Sequence, residues 1–163
     1  SSAGHFWESG FFARYLAEAA QRLNQMSGLG AGNFQSMPVV LVAYSGGYNA
    51  AAYALERGGA ASRIKGVILL DALFGELGRL GNWAAANQSR AFFVSAYGPS
   101  SRNENLSLRA SLAGRGLPVQ DGAPQQLAGG GIWFIDSRGA AHNDFVTRAW
   151  VANPLKDILS RIR

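Results

Sequence analysis

Residues 37–55, MPVVLVAYSGGYNAAAYAL, join a short apolar run directly to an alanine-rich run. The first run, residues 39–44, is rich in β-branched residues and lacks the polar alternation of a half-exposed strand, so it predicts a strand buried on both faces. After Ser45-Gly46-Gly47, the alanines and Leu55 favour a helix. A buried strand that continues at once into a helix is typical of the parallel sheet of an α/β protein.

The junction between the two runs, Ala43-Tyr44-Ser45-Gly46-Gly47, has small residues two positions before and two positions after a serine. A sharp strand-to-helix turn brings those two positions together, so only small side chains fit there. The turn exposes the serine hydroxyl at the positive end of the helix dipole and frees the Gly46 N–H to bind an oxyanion. The alternative is an ordinary tight turn in which Ser45 caps the helix.

The rest of the chain repeats the order of strand and then helix. Spacing of apolar residues predicts an amphipathic helix over residues 11–26. Further strands are predicted at 64–70, 90–97 and 131–136, and helical segments at 74–87, from Asn103 to about residue 113, and from Asn143 onward with an interruption at Asn153-Pro154. Residues 117–130 are predicted to be loop. We therefore expect one α/β domain over residues 1–163, with a parallel sheet of about four strands and helices on both faces.

A serine nucleophile needs a base and an acid that orients the base. His142 follows the last predicted strand in a glycine-containing loop, whereas His5, the second of the two histidines, precedes every strand. Asp71 ends the second predicted strand, so it shares the carboxyl edge of the sheet with Ser45 and His142. Glu104, after the third predicted strand, is the alternative acid.

These residues resemble the α/β-hydrolase superfamily. The turn is similar to its nucleophile elbow, G-x-S-x-G, with Ala43 in place of the first glycine, and the order serine, acid, histidine is also the superfamily's order. The resemblance extends from the helix before the elbow to the histidine, the carboxyl-terminal half of that fold. It implies Ser45 as nucleophile, His142 as general base and acid, Asp71 as its orienting acid and the Gly46 N–H as an oxyanion donor.

The resemblance implies a serine hydrolase that cleaves an ester, thioester or amide through an acyl-enzyme. In most members the acid follows the next strand, where Glu104 is the nearest carboxylate; an acid at the position of Asp71 is a variant of the pattern. The superfamily's four strands before the elbow, and the loop that supplies its second oxyanion donor, have no counterpart in the sequence. We therefore expect either a fragment of a longer polypeptide or another chain, as in an oligomer, that covers the edge of the first strand. The competing hypothesis is a non-catalytic α/β module that binds a partner through that edge.

The composition limits the classes of ligand that the chain is expected to bind. Fifteen basic and ten acidic residues give a net charge of +5, but the arginines are scattered singly, and we expect no nucleic-acid site. No apolar run is long enough to span a membrane, and the amino terminus lacks a signal-peptide pattern. The absence of cysteine leaves the compartment open, and neither a metal-ligand spacing nor a phosphate-binding glycine motif is present, so we expect no metal and no cofactor. The expected ligand is a small acyl substrate.

Five aromatic residues near predicted strand ends would either line its pocket or pack the core: Tyr44, Tyr48, Phe74, Trp83 and Tyr97.

Overall fold

The computed structural model describes residues 3–28 and 34–163. The helices are α1 (Phe11–Ser27), α2 (Gly47–Arg57), α3 (Leu77–Asn87), α4 (Arg102–Gly114) and α5 (Pro154–Leu159). The strands are β1 (Val39–Tyr44), β2 (Ile64–Leu70), β3 (Phe92–Tyr97), β4 (Val119–Asp121) and β5 (Gly131–Asp136). Short 3-10 turns lie at Gly4–Trp7, Ala61–Arg63, Pro99–Ser101 and His142–Val146. None of the described helices has the length and apolar character that crossing a membrane requires.

All five strands are parallel and form one sheet in the order β1-β2-β3-β5-β4. The predicted α/β fold is therefore confirmed, but the sheet has five strands rather than about four. The additional strand, β4, lies within residues 117–130, which were predicted to be loop. It is three residues long and, among residues 3–28 and 34–163, pairs with the outer side of β5 alone. A strand this short and this exposed shows no apolar pattern, because pairing with β5 alone decides its conformation.

Side chains of the central strands alternate between two cores, one on each face of the sheet. Val67 and Leu69 of β2 pack on the face that carries α1, α2, α3 and α4. Ile68 and Leu70 face the opposite core, which α5 and the segment before it cover. Helices on both faces were predicted. The three crossover helices α2, α3 and α4 lie on one face of the sheet. They do so because successive strands are added in one direction across the sheet, from β1 through β2 and β3 to β5.

Strand β1 lies at an edge of the sheet, and within the described residues it pairs with β2 alone. Val42 is 39% exposed, although the sequence of β1 is as apolar as that of the buried β2. Beside this strand, an apolar cleft of about 250 Å³ is lined by Phe6, Phe12, Leu41, Val42 and small residues of α2. The first strand therefore has an apolar edge that the described residues leave uncovered.

Several boundaries differ from the prediction. Helix α3 begins at Leu77 rather than at residue 74, and strand β3 begins at Phe92 rather than at residue 90. Helix α4 begins at Arg102 with Ser101 at the N-cap position, not at Asn103, and the Ser101 hydroxyl makes no capping bond because it donates to Asp71 instead. The predicted helix from Asn143 is only the 3-10 turn His142–Val146, because the backbone of Thr147, with a φ of −130° and a ψ of −51°, leaves the helical region and ends the turn. Pro154 starts the terminal helix as predicted.

Candidate active site

Ser45 connects the end of β1 to the start of α2. Its backbone φ is 55°, in the left-handed region that non-glycine residues adopt rarely and mostly where the surrounding structure requires it. A Cβ placed on Gly47 would lie 3.5 Å from the Cβ of Ala43, so the two flanking positions do approach each other. That distance is an ordinary contact, however, and the size restriction is milder than predicted because alanine would also fit at position 47. Gly46 rather than Ser45 is the N-cap of α2, so the alternative in which the serine caps the helix is wrong.

Two groups at this turn are available for chemistry. In the described part of the chain, the Ser45 hydroxyl makes no hydrogen bond, and no residue accepts one from the Gly46 N–H. The Gly46 N–H lies at the start of α2, where the helix dipole favours negative charge. A negative oxygen formed beside Ser45 would therefore meet a free donor there.

Asp71 lies next to Ser45 across the sheet because the residues before them, Tyr44 and Leu70, are register partners. The side chain is fully buried. Its Oδ1 accepts hydrogen bonds from the Gly98 N–H at 3.1 Å and from the Ser101 hydroxyl. Its Oδ2 accepts from the Ser100 hydroxyl and from Nδ1 of His142, which is 2.7 Å away.

These four donors determine the charge of the carboxyl group. Burial by itself would raise the pKa of Asp71, but the hydrogen bonds from Ser100, Ser101, His142 and Gly98 outweigh that effect and lower the pKa below its usual value. Asp71 is therefore ionised at neutral pH, and an ionised carboxylate only accepts hydrogen bonds. The proton of the neutral imidazole consequently sits on Nδ1, which leaves the lone pair of Nε2 to take a proton.

His142 reaches the site from the loop after β5. Its ring stacks on the ring of Tyr44 with centroids 4.8 Å apart, and it makes a T-shaped contact with the ring of Phe74 with centroids 6.0 Å apart. The Tyr44 hydroxyl donates to the backbone carbonyl of His142 at 3.3 Å and lies 3.2 Å from Oδ1 of Asn143. These contacts hold the imidazole against Tyr44, the residue that immediately precedes Ser45. The imidazole does not hydrogen bond to the Ser45 hydroxyl here, a bond that commonly tightens only when substrate binds.

The other sequence candidates lie elsewhere. Glu104 is in the first turn of α4 and makes no hydrogen bond or ion pair with His142, whereas Asp71 does. His5 belongs to the first 3-10 turn and bonds to Glu8 at 2.6 Å. The structure places the five aromatic residues in two groups. Tyr44 and Phe74 contact His142 and Tyr48 packs on Phe74, whereas Trp83 and Tyr97 are buried in the core.

Three residues that hold the carboxylate were missed at the sequence level: Gly98, Ser100 and Ser101. They follow β3, whose carboxyl end lies at the same sheet edge as that of β2, and this shared edge was the available signal. A Cβ on Gly98 would lie 2.7 Å from the carbonyl oxygen of Ala140, two residues before His142. Glycine is thus needed where the end of β3 meets the histidine loop.

No group of three His, Asp or Glu side chains suited to a metal ion forms within residues 3–28 and 34–163. We compared the chain with protein-family models, curated proteins and solved structures. No significant match was found. The functional conclusion therefore depends on the geometry of Ser45, His142 and Asp71.

Proposed function

We propose that this protein is a serine hydrolase of the α/β-hydrolase type that cleaves an ester, thioester or amide through an acyl-enzyme. The observation that carries the proposal is the 2.7 Å contact between Nδ1 of His142 and the buried carboxylate of Asp71, next to a serine held at a φ of 55°. A buried carboxylate on one imidazole nitrogen, with the other nitrogen free, is the arrangement that activates a serine hydroxyl.

In the proposed reaction, the Ser45 oxygen attacks the carbonyl carbon of the substrate while Nε2 of His142 takes the hydroxyl proton. The imidazolium is stabilised by Asp71, and the negative carbonyl oxygen accepts a hydrogen bond from the Gly46 N–H. Collapse of this intermediate breaks the bond to the leaving group, which receives the proton from Nε2. Water then attacks the acyl carbon while Nε2 takes one of its protons, and Nε2 returns that proton to the Ser45 oxygen as the acyl–serine bond breaks and the acid is released.

The surroundings of the serine favour an apolar acyl or aryl group on the substrate. The rings of Tyr48 and Phe74 pack together with centroids 6.2 Å apart, and Phe74 is 36% exposed beside the imidazole. Because the chain resembles the α/β-hydrolase superfamily, we propose that further strands lie beyond β1, contributed by a longer polypeptide or by another chain. A loop from those strands would supply the second oxyanion donor.

The test is hydrolysis of p-nitrophenyl esters of short and medium acyl chains by the protein and by Ser45→Ala. We expect the variant to lose at least about a thousandfold in kcat/KM, because removing the nucleophile leaves only binding and oxyanion stabilisation. Ser107→Ala, an exposed serine on α4, is the matched control and should hydrolyse the esters at the original rate. Equal turnover by Ser45→Ala would rule the proposal out.

The edge of β1 supports a second candidate, a non-catalytic module that binds an extended polypeptide strand there. The supporting observation is the apolar cleft beside an unpaired strand edge, where a peptide could add to the sheet by backbone hydrogen bonds. Light scattering over a range of concentrations tests self-pairing in this way. Association that Val42→Lys abolishes would favour this candidate, whereas a monomer at all concentrations would argue against pairing between copies.

A further inference from the structure

We infer that Asn105, on α4, is a positioning residue that aims the Ser101 hydroxyl at Asp71 and so keeps the imidazole of His142 with its proton on Nδ1. The catalytic meaning of this inference rests on the proposed function, whereas its geometry rests on buried hydrogen bonds. Asn105 itself touches neither the imidazole nor the serine nucleophile.

The contacts form a continuous buried chain from β3 through α4 to the carboxylate. Ser95, Asn105, Ser101 and Asp71 are each fully buried. Oδ1 of Asn105 accepts the Ser95 hydroxyl proton at 2.5 Å. Nδ2 of Asn105 donates to the Ser101 carbonyl at 2.8 Å and to the Ser101 hydroxyl oxygen at 3.3 Å. The Ser101 hydroxyl in turn donates to Oδ1 of Asp71.

The direction of each bond follows from the number of protons that each group has. A serine hydroxyl has one proton and two lone pairs. Because the amide N–H of Asn105 occupies a lone pair of the Ser101 oxygen, the Ser101 proton is left for Asp71. The Ser101 carbonyl fixes the amide orientation, since a carbonyl oxygen only accepts hydrogen bonds and therefore holds Nδ2 on its side. The Ser95 hydroxyl supports this orientation by donating its proton to Oδ1. With the amide reversed, its oxygen would face the Ser101 carbonyl and would compete with Asp71 for the hydroxyl proton.

This arrangement is more than packing. An apolar side chain of similar size would fill the same space next to β3 without needing any hydrogen-bond partner. A buried amide is tolerated only when its partners are all present, and here each bond adds to the orientation of the next. Asp71 receives two donors on each oxygen, so losing the direction of the Ser101 hydroxyl lets the carboxylate turn and weakens its hold on Nδ1.

The test compares Asn105→Leu, which removes the amide, with Ser95→Ala, which removes only the hydroxyl that donates to Oδ1 of Asn105. Asn103→Ala, an exposed asparagine on the same helix, is the matched control. The first readout is the ¹⁵N NMR shift of the imidazole nitrogens, which reports the tautomer. His5, the second histidine, serves as the internal reference. The second readout is the rate at which a fluorophosphonate modifies Ser45.

We expect the wild-type protein and Asn103→Ala to give the Nδ1–H tautomer of His142. Asn105→Leu should shift it towards a mixture of tautomers and slow labelling roughly tenfold, the effect of losing one hydrogen bond to a charged group. Ser95→Ala should change both readouts in the same direction by less, and His5 should not change in any variant.

A folded Asn105→Leu with wild-type imidazole shifts would overturn the inference, because a purely structural asparagine would change stability alone. If Asn105→Leu does not fold, the same measurement is made on Ser95→Ala, and wild-type imidazole shifts in that variant would overturn the inference. The NMR readout also separates the two proposals. A wild-type protein that is never labelled, but whose His142 shifts respond to these substitutions, would refute the hydrolase proposal and support the positioning role.

Discussion

Gly98 lies where the end of β3 meets the loop that carries His142, and Gly98→Ala should damage stability and site together. The new Cβ would lie 2.7 Å from the Ala140 carbonyl oxygen and 3.1 Å from the ring of Phe145. An ordinary contact begins at 3.4 Å, so 3.4 − 2.7 = 0.7 Å of separation must come from moving β3 or the histidine loop. Gly98 has a φ of −111° and a ψ of −167°, which alanine adopts freely, so contact rather than backbone strain is responsible.

The expected loss in the free energy of unfolding of Gly98→Ala follows from the two interactions that the substitution affects. Overpacking of this kind costs about 1–3 kcal/mol. A shift of the chain also stretches the bond from the Gly98 N–H to Asp71, and a hydrogen bond to a charged group contributes about 1.5–3 kcal/mol when it is lost completely. The lower entropy of the unfolded alanine chain offsets about 0.4–1 kcal/mol. We expect a net loss of about 2–4 kcal/mol in the free energy of unfolding.

The assay is urea unfolding combined with the rate of fluorophosphonate labelling at Ser45. Displacing His142 by a sizeable fraction of an ångström should slow labelling of the folded variant by up to about a hundredfold. Gly78→Ala is the matched control, since position 78 lies in α3 and a Cβ there would meet nothing within 4 Å. It should stabilise the protein by about 0.5–1 kcal/mol and leave labelling unchanged. A Gly98→Ala variant with the stability and labelling rate of the wild type would refute the close approach of β3 to the histidine loop.

Two further predictions concern the same carboxylate and imidazole. Because the hydrogen bonds on Asp71 hold its native pKa below the ordinary value of about 3.9, its contribution to stability is fully present above about pH 4 and is lost as the pH falls through the native pKa. Urea unfolding across this range should therefore show a shallower acid loss for Asp71→Asn, and an unchanged acid profile would contradict the assignment. Tyr44→Phe keeps the ring that stacks on His142 but removes the hydroxyl bond to its carbonyl, so it should cost about 0.5–1.5 kcal/mol of stability. Its labelling rate should fall less than that of Gly98→Ala, and a larger fall would show that the hydroxyl does more than hold the loop.

The fold could be predicted where local pattern and final structure agree. The long strands β1, β2, β3 and β5 are apolar runs that end at turn residues, and such runs favour a parallel strand. The prediction that β1 is buried on both faces was wrong within the described residues, because β1 lies at the sheet edge and pairs there with β2 alone. Strand β4 could not be predicted, because three half-exposed residues become a strand only through pairing with β5. The residues after Val146 were predicted to be helical, whereas the backbone of Thr147 leaves the helical region and ends the preceding turn.

The site could be predicted to the same extent and for a related reason. Ser45, Asp71 and His142 each follow a strand of one parallel sheet, and the carboxyl ends of parallel strands meet at one edge. The preference for Asp71 over Glu104 depends on which strand end the histidine loop reaches, a tertiary contact that spacing does not encode. The buried hydrogen bonds of Ser101 and Asn105 were likewise hidden, because a serine before a helix is ordinarily an N-cap.

The central claim is that Ser45 is an activated nucleophile, and the most direct measurement is fluorophosphonate labelling followed by mass spectrometry of the modified peptide. The account predicts stoichiometric modification at Ser45 in the folded protein, and its loss both after unfolding in urea and in folded His142→Ala. A folded protein that is not labelled, or that is labelled at another serine, would contradict the account.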